Sequence, residues 1–289
     1  MSAPIMNAPA TKSPAMKTPA TNAPNMWNAA PRPLRRGRAD TLTDISAMVG
    51  RELRRTLRSV DGLITAFAIP VSIMLVFVVI FGGAIQQDGG YVNYVVPGTL
   101  ILCLGFGSAA TAVSVAQDMK SGTIDRFKTL PIFGSSVLFG HVIASVVRNL
   151  AAIVPVIGVA LLLGWRPAAD LGGWTQAIAF AVLVILAFTW LACAAGLVLS
   201  VDAAASINFV FLFLPYVSSG FVPVDTMPTW LHGFADHQPY TPIIETLRDV
   251  LTGTSPDAGV IWPALAWLTG ILVVGYAAAA WLYRTRVAK

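Results

Sequence analysis

The chain has 289 residues, of which 56% are hydrophobic and 11% charged, with a mean hydropathy of +0.70. A soluble domain carries about 25% charged residues, so this chain cannot cover a water-exposed surface in the usual way, and a soluble globular enzyme is excluded. The formal charge of +5 suits nucleic acid only if the basic residues are spread over a surface, and their positions along the chain decide the matter.

The N-terminus repeats with a period of five, SAPIM, NAPAT, KSPAM, KTPAT and NAPNM, placing Pro4, Pro9, Pro14, Pro19 and Pro24 at equal intervals. Proline lacks an amide donor and disfavours helix in the residue before it. Residues 1–38 are therefore expected to be a disordered cytoplasmic tail, ending in the basic cluster Arg32, Arg35, Arg36 and Arg38 and lacking the apolar run of a signal peptide. Residues 39–60 change character. Thr41 and Asp44 resemble a capping box, and Leu42, Ile45, Val49, Leu53, Leu57 and Val60 recur at helical spacing, with Arg51, Arg54, Arg55 and Arg58 on the remaining faces. The pattern predicts an amphipathic helix lying in the headgroup plane of an anionic inner leaflet.

From residue 61 onward the apolar runs predict six transmembrane helices, near 63–81, 94–116, 142–163, 174–199, 204–221 and 260–282. Each approaches the roughly 20 residues needed to cross the hydrocarbon core. Ten of the 19 Lys and Arg precede the first run; Lys120, Arg126 and Lys128 lie between the second and third, and Arg284, Arg286 and Lys289 follow the last. These 16 share one side if the number of spans is even, while Arg166 and Arg248 fall on the other. The bias of Lys and Arg predicts both termini in the cytoplasm. Arg148 lies inside the third run, about 9 Å deep at about 1.5 Å per residue. It is within snorkelling reach of the inner headgroups, and is also a candidate for contact with the translocation path, with lipid or with another helix.

Chemistry-bearing motifs are sparse. The sequence has no GxxxxGK[ST] phosphate loop, no HExxH zinc motif and no paired aspartate-rich motif. Cys103 and Cys193 lie in separate apolar runs, away from any CxxC, so neither a disulfide framework nor a metal site is indicated. The histidines are His141, His232 and His237. Ser108 has no histidine at comparable depth to activate it, and Gly105, Ser108, Ala112 and Ala116 read instead as a small-residue face for close helix packing.

Two segments outside the spans are more informative. Residues 117–135 set Ile124, Phe127 and Leu130 against Asp125, Arg126 and Lys128, closed by Pro131, which suits a short surface helix presenting charge to the cytoplasm. Residues 221–253 are too apolar for a free loop and too broken by Pro223, Pro228, Pro239 and Pro242 for a span. A re-entrant or interfacial helical hairpin on the external side fits, because broken backbone at membrane depth must be buried in protein or face water. In its second half Thr241 is placed to cap a helix with the stripe Ile244, Leu247 and Leu251, ended by Gly253.

The stretches YVVPGTLILCLGFGSAATAVSVAQDMKSGTIDRFKTLPI and SSGFVPVDTMPTWLHGFADHQPYTPIIETLRDVLTG resemble the permease subunit of type-2 ABC exporters, in particular the daunorubicin-resistance permease group. The resemblance runs from about residue 47 to the C-terminus; Gln238 stands where the family more often has asparagine, and the proline-repeat tail lies outside it. It implies an all-α transmembrane domain over 61–289 that binds no cofactor itself. A separate ATPase, expected in two copies, would use ATP and magnesium. The interfacial helix (Arg51, Arg54, Arg55, Arg58) and the coupling loop over 117–135 (Asp118, Lys120, Asp125, Arg126, Phe127, Leu130) would meet that ATPase. A second permease chain, identical or a close paralogue, would complete the path, and the external hairpin (Pro223, Met227, Pro228, Trp230, Pro239, Glu245, Arg248) would form its lid.

The reading that results is a multi-pass permease of a bacterial cytoplasmic membrane, in contact with membrane lipids and with no nucleic-acid partner. It would move a small amphipathic drug or antibiotic outward, or alternatively a lipid or polysaccharide. A polytopic lipid enzyme would need clustered carboxylates or histidines near one interface, and an ion-coupled transporter would need acids within the spans. Neither pattern is present in the sequence.

Overall fold

The computed structural model describes residues 46–55, 60–85, 90–123 and 136–287. Among these residues the structure is helical, without strands. The proline-repeat tail, Arg58, and Asp125, Arg126, Phe127 and Leu130 of the loop lie outside the described residues.

The first helix, α1, spans 46–55. Then come α2 (Val60–Leu75), which runs on through a π-helical turn (Val76–Phe81) into Gly82–Ile85, α3 (Tyr91–Lys120), α4 (Ser136–Leu162) and α5 (Leu171–Gly196). They are followed by α6 (Val201–Phe213), α7 (Thr229–His237), α8 (Tyr240–Thr252) and α9 (Ala258–Leu282). Local sequence sets several of these starts. The side chains of Asp170, Ser200 and Asp257 accept from the backbone N–H of Gly173, Ala203 and Gly259, satisfying donors that the first turn leaves open.

Five helical segments are long and apolar enough to cross a bilayer: Ile64–Ala84, Tyr91–Lys120, Ser136–Leu162, Leu171–Gly196 and Ala258–Thr285. The run expected to span 204–221 is shorter, an apolar helix over Val201–Val217. Its α-helical part stops at Phe213 because Pro215 has no N–H to continue the ladder, and a 3₁₀ turn, Leu214–Val217, completes it. The buried Ser218 hydroxyl then donates to the Pro215 carbonyl and accepts from the Gly220 N–H, folding the chain back.

Helix α3 is central, packing against α2, α4, α5, α6 and α8, and α9 lies on α5. The small-residue face of α3 allows these approaches. A Cβ on Gly196 of α5 would stand 2.5 Å from the Ala112 carbonyl oxygen, so only glycine permits that crossing. One apolar core runs through α2 to α5 and α8. A second gathers Val115, Val137, Val142, Trp190, Leu197 and Ala279, with Met48 of α1 against it, at the end of the bundle that carries the arginines of α1.

The end that carries residues 221–253 lies opposite. There α7 and α8 form a bent pair in which Ile243, Ile244, Leu247 and Leu251 are buried. Packing of these side chains against the bundle holds α8 in place. Gly253 ends α8 in the left-handed conformation, φ 76°, where a Cβ would be strained. The expected cap is different: α8 begins at Tyr240 with Pro239 before it, and Thr241 lies one residue inside the helix. Its hydroxyl donates to the Ala235 carbonyl and accepts from the Ser219 N–H, so it ties α8 to α7 and to the turn after α6 instead.

Candidate functional site

The basic end is organised by an ion-pair node joining three helices. Arg51 Nη2 lies 2.6 Å from Asp118 Oδ2 and 2.6 Å from Glu52 Oε1. Arg55 Nη1 lies 3.0 Å from Asp118 Oδ1, and its Nη2 donates to Gln117 Oε1 at 2.8 Å. From α4, His141 places Nε2 3.2 Å from Asp118 Oδ2 and Nδ1 3.6 Å from Glu52 Oε2. Glu52, Asp118 and His141 are buried, whereas Arg51 and Arg55 are partly exposed. Burial opposes the Arg51 charge, but Asp118 and Glu52 outweigh it and raise its pKa.

Helical periodicity explains why these residues meet. Arg51 and Arg55 are four apart on one face of α1, so both reach the last turn of α3, where Gln117 and Asp118 stand. Glu52 turns inward beside them. Glu52, Asp118 and His141 bring three ligand-type atoms within 4.8 Å of one another. Two guanidiniums already engage these carboxylates, so the set is an ion-pair node whose charge is balanced from α1.

Sequence reasoning places Arg51, Arg55 and Asp118 in the candidate site but treats them as separate groups; the structure brings them together. Arg54 and Lys120 are exposed beside the node. Glu52 and His141 are absent from the sequence-based set. A lone acid in the basic helix is the signal that could have found Glu52, and His141, at the entrance of the third apolar run, carries none beyond its position.

A second polar cluster lies within the bundle, where α3, α4 and α5 cross. The Arg148 guanidinium reaches across to α3: its Nη2 donates to the Gly107 carbonyl and to Thr111 Oγ1, both at 3.0 Å, and to Ser145 Oγ at 3.4 Å. Ser145 Oγ is the hub, accepting from Thr111 Oγ1 at 3.3 Å and from Asn149 Nδ2 at 3.0 Å, and lying 3.0 Å from Thr189 Oγ1 on α5. The Arg148 side chain thus bridges α4 to α3.

At the hairpin end, Arg248 of α8 lies over the Tyr94 ring, 3.9 Å from its centroid. It donates to the Tyr94 carbonyl at 3.3 Å and to the Ser219 carbonyl at 2.6 Å. Burial lowers its pKa, with Tyr94, Glu245 and Asp249 opposing that shift. Tyr91 OH donates to the Phe221 carbonyl at 2.7 Å, and Phe221 stacks on Tyr216 at 4.8 Å. Gln238, buried beside Pro239, donates to the Val217 carbonyl at 3.1 Å. Of the other hairpin residues, Trp230 is 79% exposed, Pro223 and Pro228 are also exposed, and Met227 and Glu245 are half-buried.

Apolar helices of bilayer length, polar groups paired across their crossings and a basic node at one end define a polytopic membrane protein. The chain belongs to the ABC-2 type transporter family, whose model matches residues 43–252. It is 29% identical over 217 residues to the daunorubicin resistance ABC transporter permease protein DrrB1 of Streptomyces coeruleorubidus, covering 72% of this chain and 76% of that protein. It is 26% identical over 234 residues to the probable doxorubicin resistance ABC transporter permease protein DrrC of Mycobacterium tuberculosis, covering 78% and 82%. Family membership makes the chain the membrane component of an ABC transporter, as the resemblance implied.

Proposed function

We propose that the protein is the permease of an ATP-driven exporter that moves a hydrophobic or amphipathic drug or antibiotic out of a bacterial cell. The observation that carries this reading is the ion-pair node at the basic end. Arg51 and Arg55 clamp α1 onto Gln117 and Asp118, where the segment 117–135 begins. A push on that segment from a cytoplasmic partner would therefore move α1, α3 and α4 together, as a two-state device requires.

In this reading six helices span the cytoplasmic membrane, the shorter Val201–Val217 helix among them, with both termini on the cytoplasmic side. The ATPase is a separate chain present in two copies and supplies the site for ATP and magnesium, while two permease chains form the path. Asp125, Arg126 and Phe127 contact the ATPase, since charge beside an aromatic anchor suits such an interface. The hairpin over 221–253 closes the outer end. The relatives' drug-resistance names favour a drug over a lipid or polysaccharide.

The test is co-expression with candidate ATPase chains, followed by drug-stimulated ATP turnover and efflux. Substituting Asp125, Arg126 and Phe127 together is expected to abolish efflux while the permease stays in the membrane. Normal efflux in that variant, or a permease that captures no ATPase, would overturn the reading.

A further inference from the structure

Arg148 lies seven residues beyond His141 on α4, about 10 Å into a hydrocarbon core of about 30 Å. Its three hydrogen bonds all leave from Nη2. Nε and Nη1 donate to no acceptor among the described residues. The side chain is half-buried, and neither atom is among the fully enclosed polar atoms left without a partner, so both retain some access to the surface of the chain.

No acid is available at that depth among the described residues. Ile64–Ala84, α4, α5 and α9 contain no Asp or Glu, Asp118 stands in the last turn of α3, and Asp202 stands in the first turn of α6. Glu52 is engaged by Arg51 and His141 at the basic end. A guanidinium is not deprotonated in proteins. Unpaired donors facing hydrocarbon cost several kcal/mol each, so a cation held in place by α3 calls for an acceptor that the described residues do not supply.

We propose that Arg148 is a membrane-embedded binding site for an anionic group, a carboxylate or a phosphate ester, carried by an amphipathic molecule in the bilayer. Nη2 is the fixed side of the guanidinium, anchored to Gly107, Thr111 and Ser145, and Nη1 and Nε are the side offered to the ligand. The anchoring matters because a pre-oriented fork loses little freedom on binding. A cationic amphipath would meet like charge at this point, so the site favours acids over amines. The proposal rests only on the chain spanning a bilayer and needs no ATPase, so its failure would leave the exporter reading untouched.

The experiment uses the purified full chain in phosphatidylcholine nanodiscs, with a nitroxide-labelled stearic acid, its methyl ester and its amine analogue as probes, at a pH where the acid is ionised. The motionally restricted fraction in the electron paramagnetic resonance spectrum reads binding. The acid is expected to bind about tenfold or more tightly than the ester, since a charge-assisted hydrogen bond is lost on esterification. Arg148→Lys, which keeps the charge without the anchored fork, should retain only part of that selectivity, and Arg148→Gln should remove it. Displacement of the probe by phosphatidylglycerol identifies a lipid phosphate as the natural occupant. Displacement by unlabelled long-chain acids alone identifies a free acid. Equal binding of acid and ester by the unaltered chain overturns the proposal whatever the variants do, and so does an Arg148→Gln chain that folds and holds the acid as before.

Discussion

Arg248 and Tyr94 are 154 residues apart, yet the guanidinium covers the tyrosine ring at 3.9 Å and donates to the carbonyl of the same residue. One side chain thereby fixes α8 to the first turn of α3, and its 2.6 Å bond to the Ser219 carbonyl adds the turn that follows α6. The hairpin is attached by this contact as well as by its apolar stripe.

Removing the contact should loosen the hairpin without unfolding the spans. Arg248→Ala is expected to lose about 2 kcal/mol, from a stacked cation and charged hydrogen bonds. Arg248→Lys should recover only part, because an ammonium cannot stack and reach two carbonyls at once. Hydrogen exchange of the amides over 229–252 reads the result. Faster exchange confined to that region is expected, and unchanged exchange in Arg248→Ala would show that the apolar stripe alone holds the hairpin.

At the basic end the prediction is an order. Asp118 is buried and meets two arginines and His141, whereas the side chains of Arg51 and Arg55 are 33% and 43% exposed. Asp118→Asn, which strips the buried partner, is expected to cost about 3 kcal/mol, and Arg51→Ala about 1–2 kcal/mol after allowing for solvent screening. Arg55→Ala should cost less than about 1 kcal/mol. A double-mutant cycle on Arg51 and Asp118, read by thermal unfolding in detergent, should give a coupling of about 1 kcal/mol or more. Additive effects would mean that the pair does not hold α1.

The sequence makes some of this legible and hides the rest for identifiable reasons. The apolar runs point to helices, because the need to satisfy backbone groups in hydrocarbon leaves little else for a run of about 20 apolar residues. The run ending near Phe221 is overextended on hydropathy, which does not register that Pro215 ends the ladder six residues earlier. Periodicity shows which face of α1 is basic, but it carries no information on what that face meets, so the 67-residue separation of Arg51 from Asp118 stays invisible. Thr241 reads as a cap because the same hydroxyl serves equally well as a tie to Ala235, and only the hairpin's bend decides between them.

Close packing between α3 and the turn after α6 sets a further expectation. A Cβ on Gly98 would stand 2.4 Å from the Gly220 carbonyl oxygen, which is backbone and cannot swing aside. Gly98→Ala should therefore separate α3 from that turn, strain the bond from Tyr91 to the Phe221 carbonyl, and cost about 1–3 kcal/mol. A Cβ on Gly158 or Gly270 would have nothing within 4 Å, so alanine there should leave stability unchanged or raise it by up to about 1 kcal/mol. Thermal unfolding of the three variants side by side checks the contrast, and a Gly98→Ala chain as stable as the controls would refute the tight approach.

Within the bundle, Ser145 is the shared partner of Thr111, Arg148, Asn149 and Thr189, so its removal should not behave as the sum of separate bonds. An inter-helix hydrogen bond in a membrane averages about 0.6 kcal/mol and reaches about 1.7 kcal/mol. Ser145→Ala is expected near the upper figure, because the Thr189 hydroxyl loses the partner that ties α5 to α4 while Arg148 keeps Gly107 and Thr111. Thr189→Val alone should cost less, since Ser145 remains bonded to α3 and to Asn149. In the double variant the Thr189 substitution should add almost nothing, because the bond it would break is already gone. Unfolding of the two single variants and the double variant in the same detergent measures this, and fully additive losses would show that the two hydroxyls act independently.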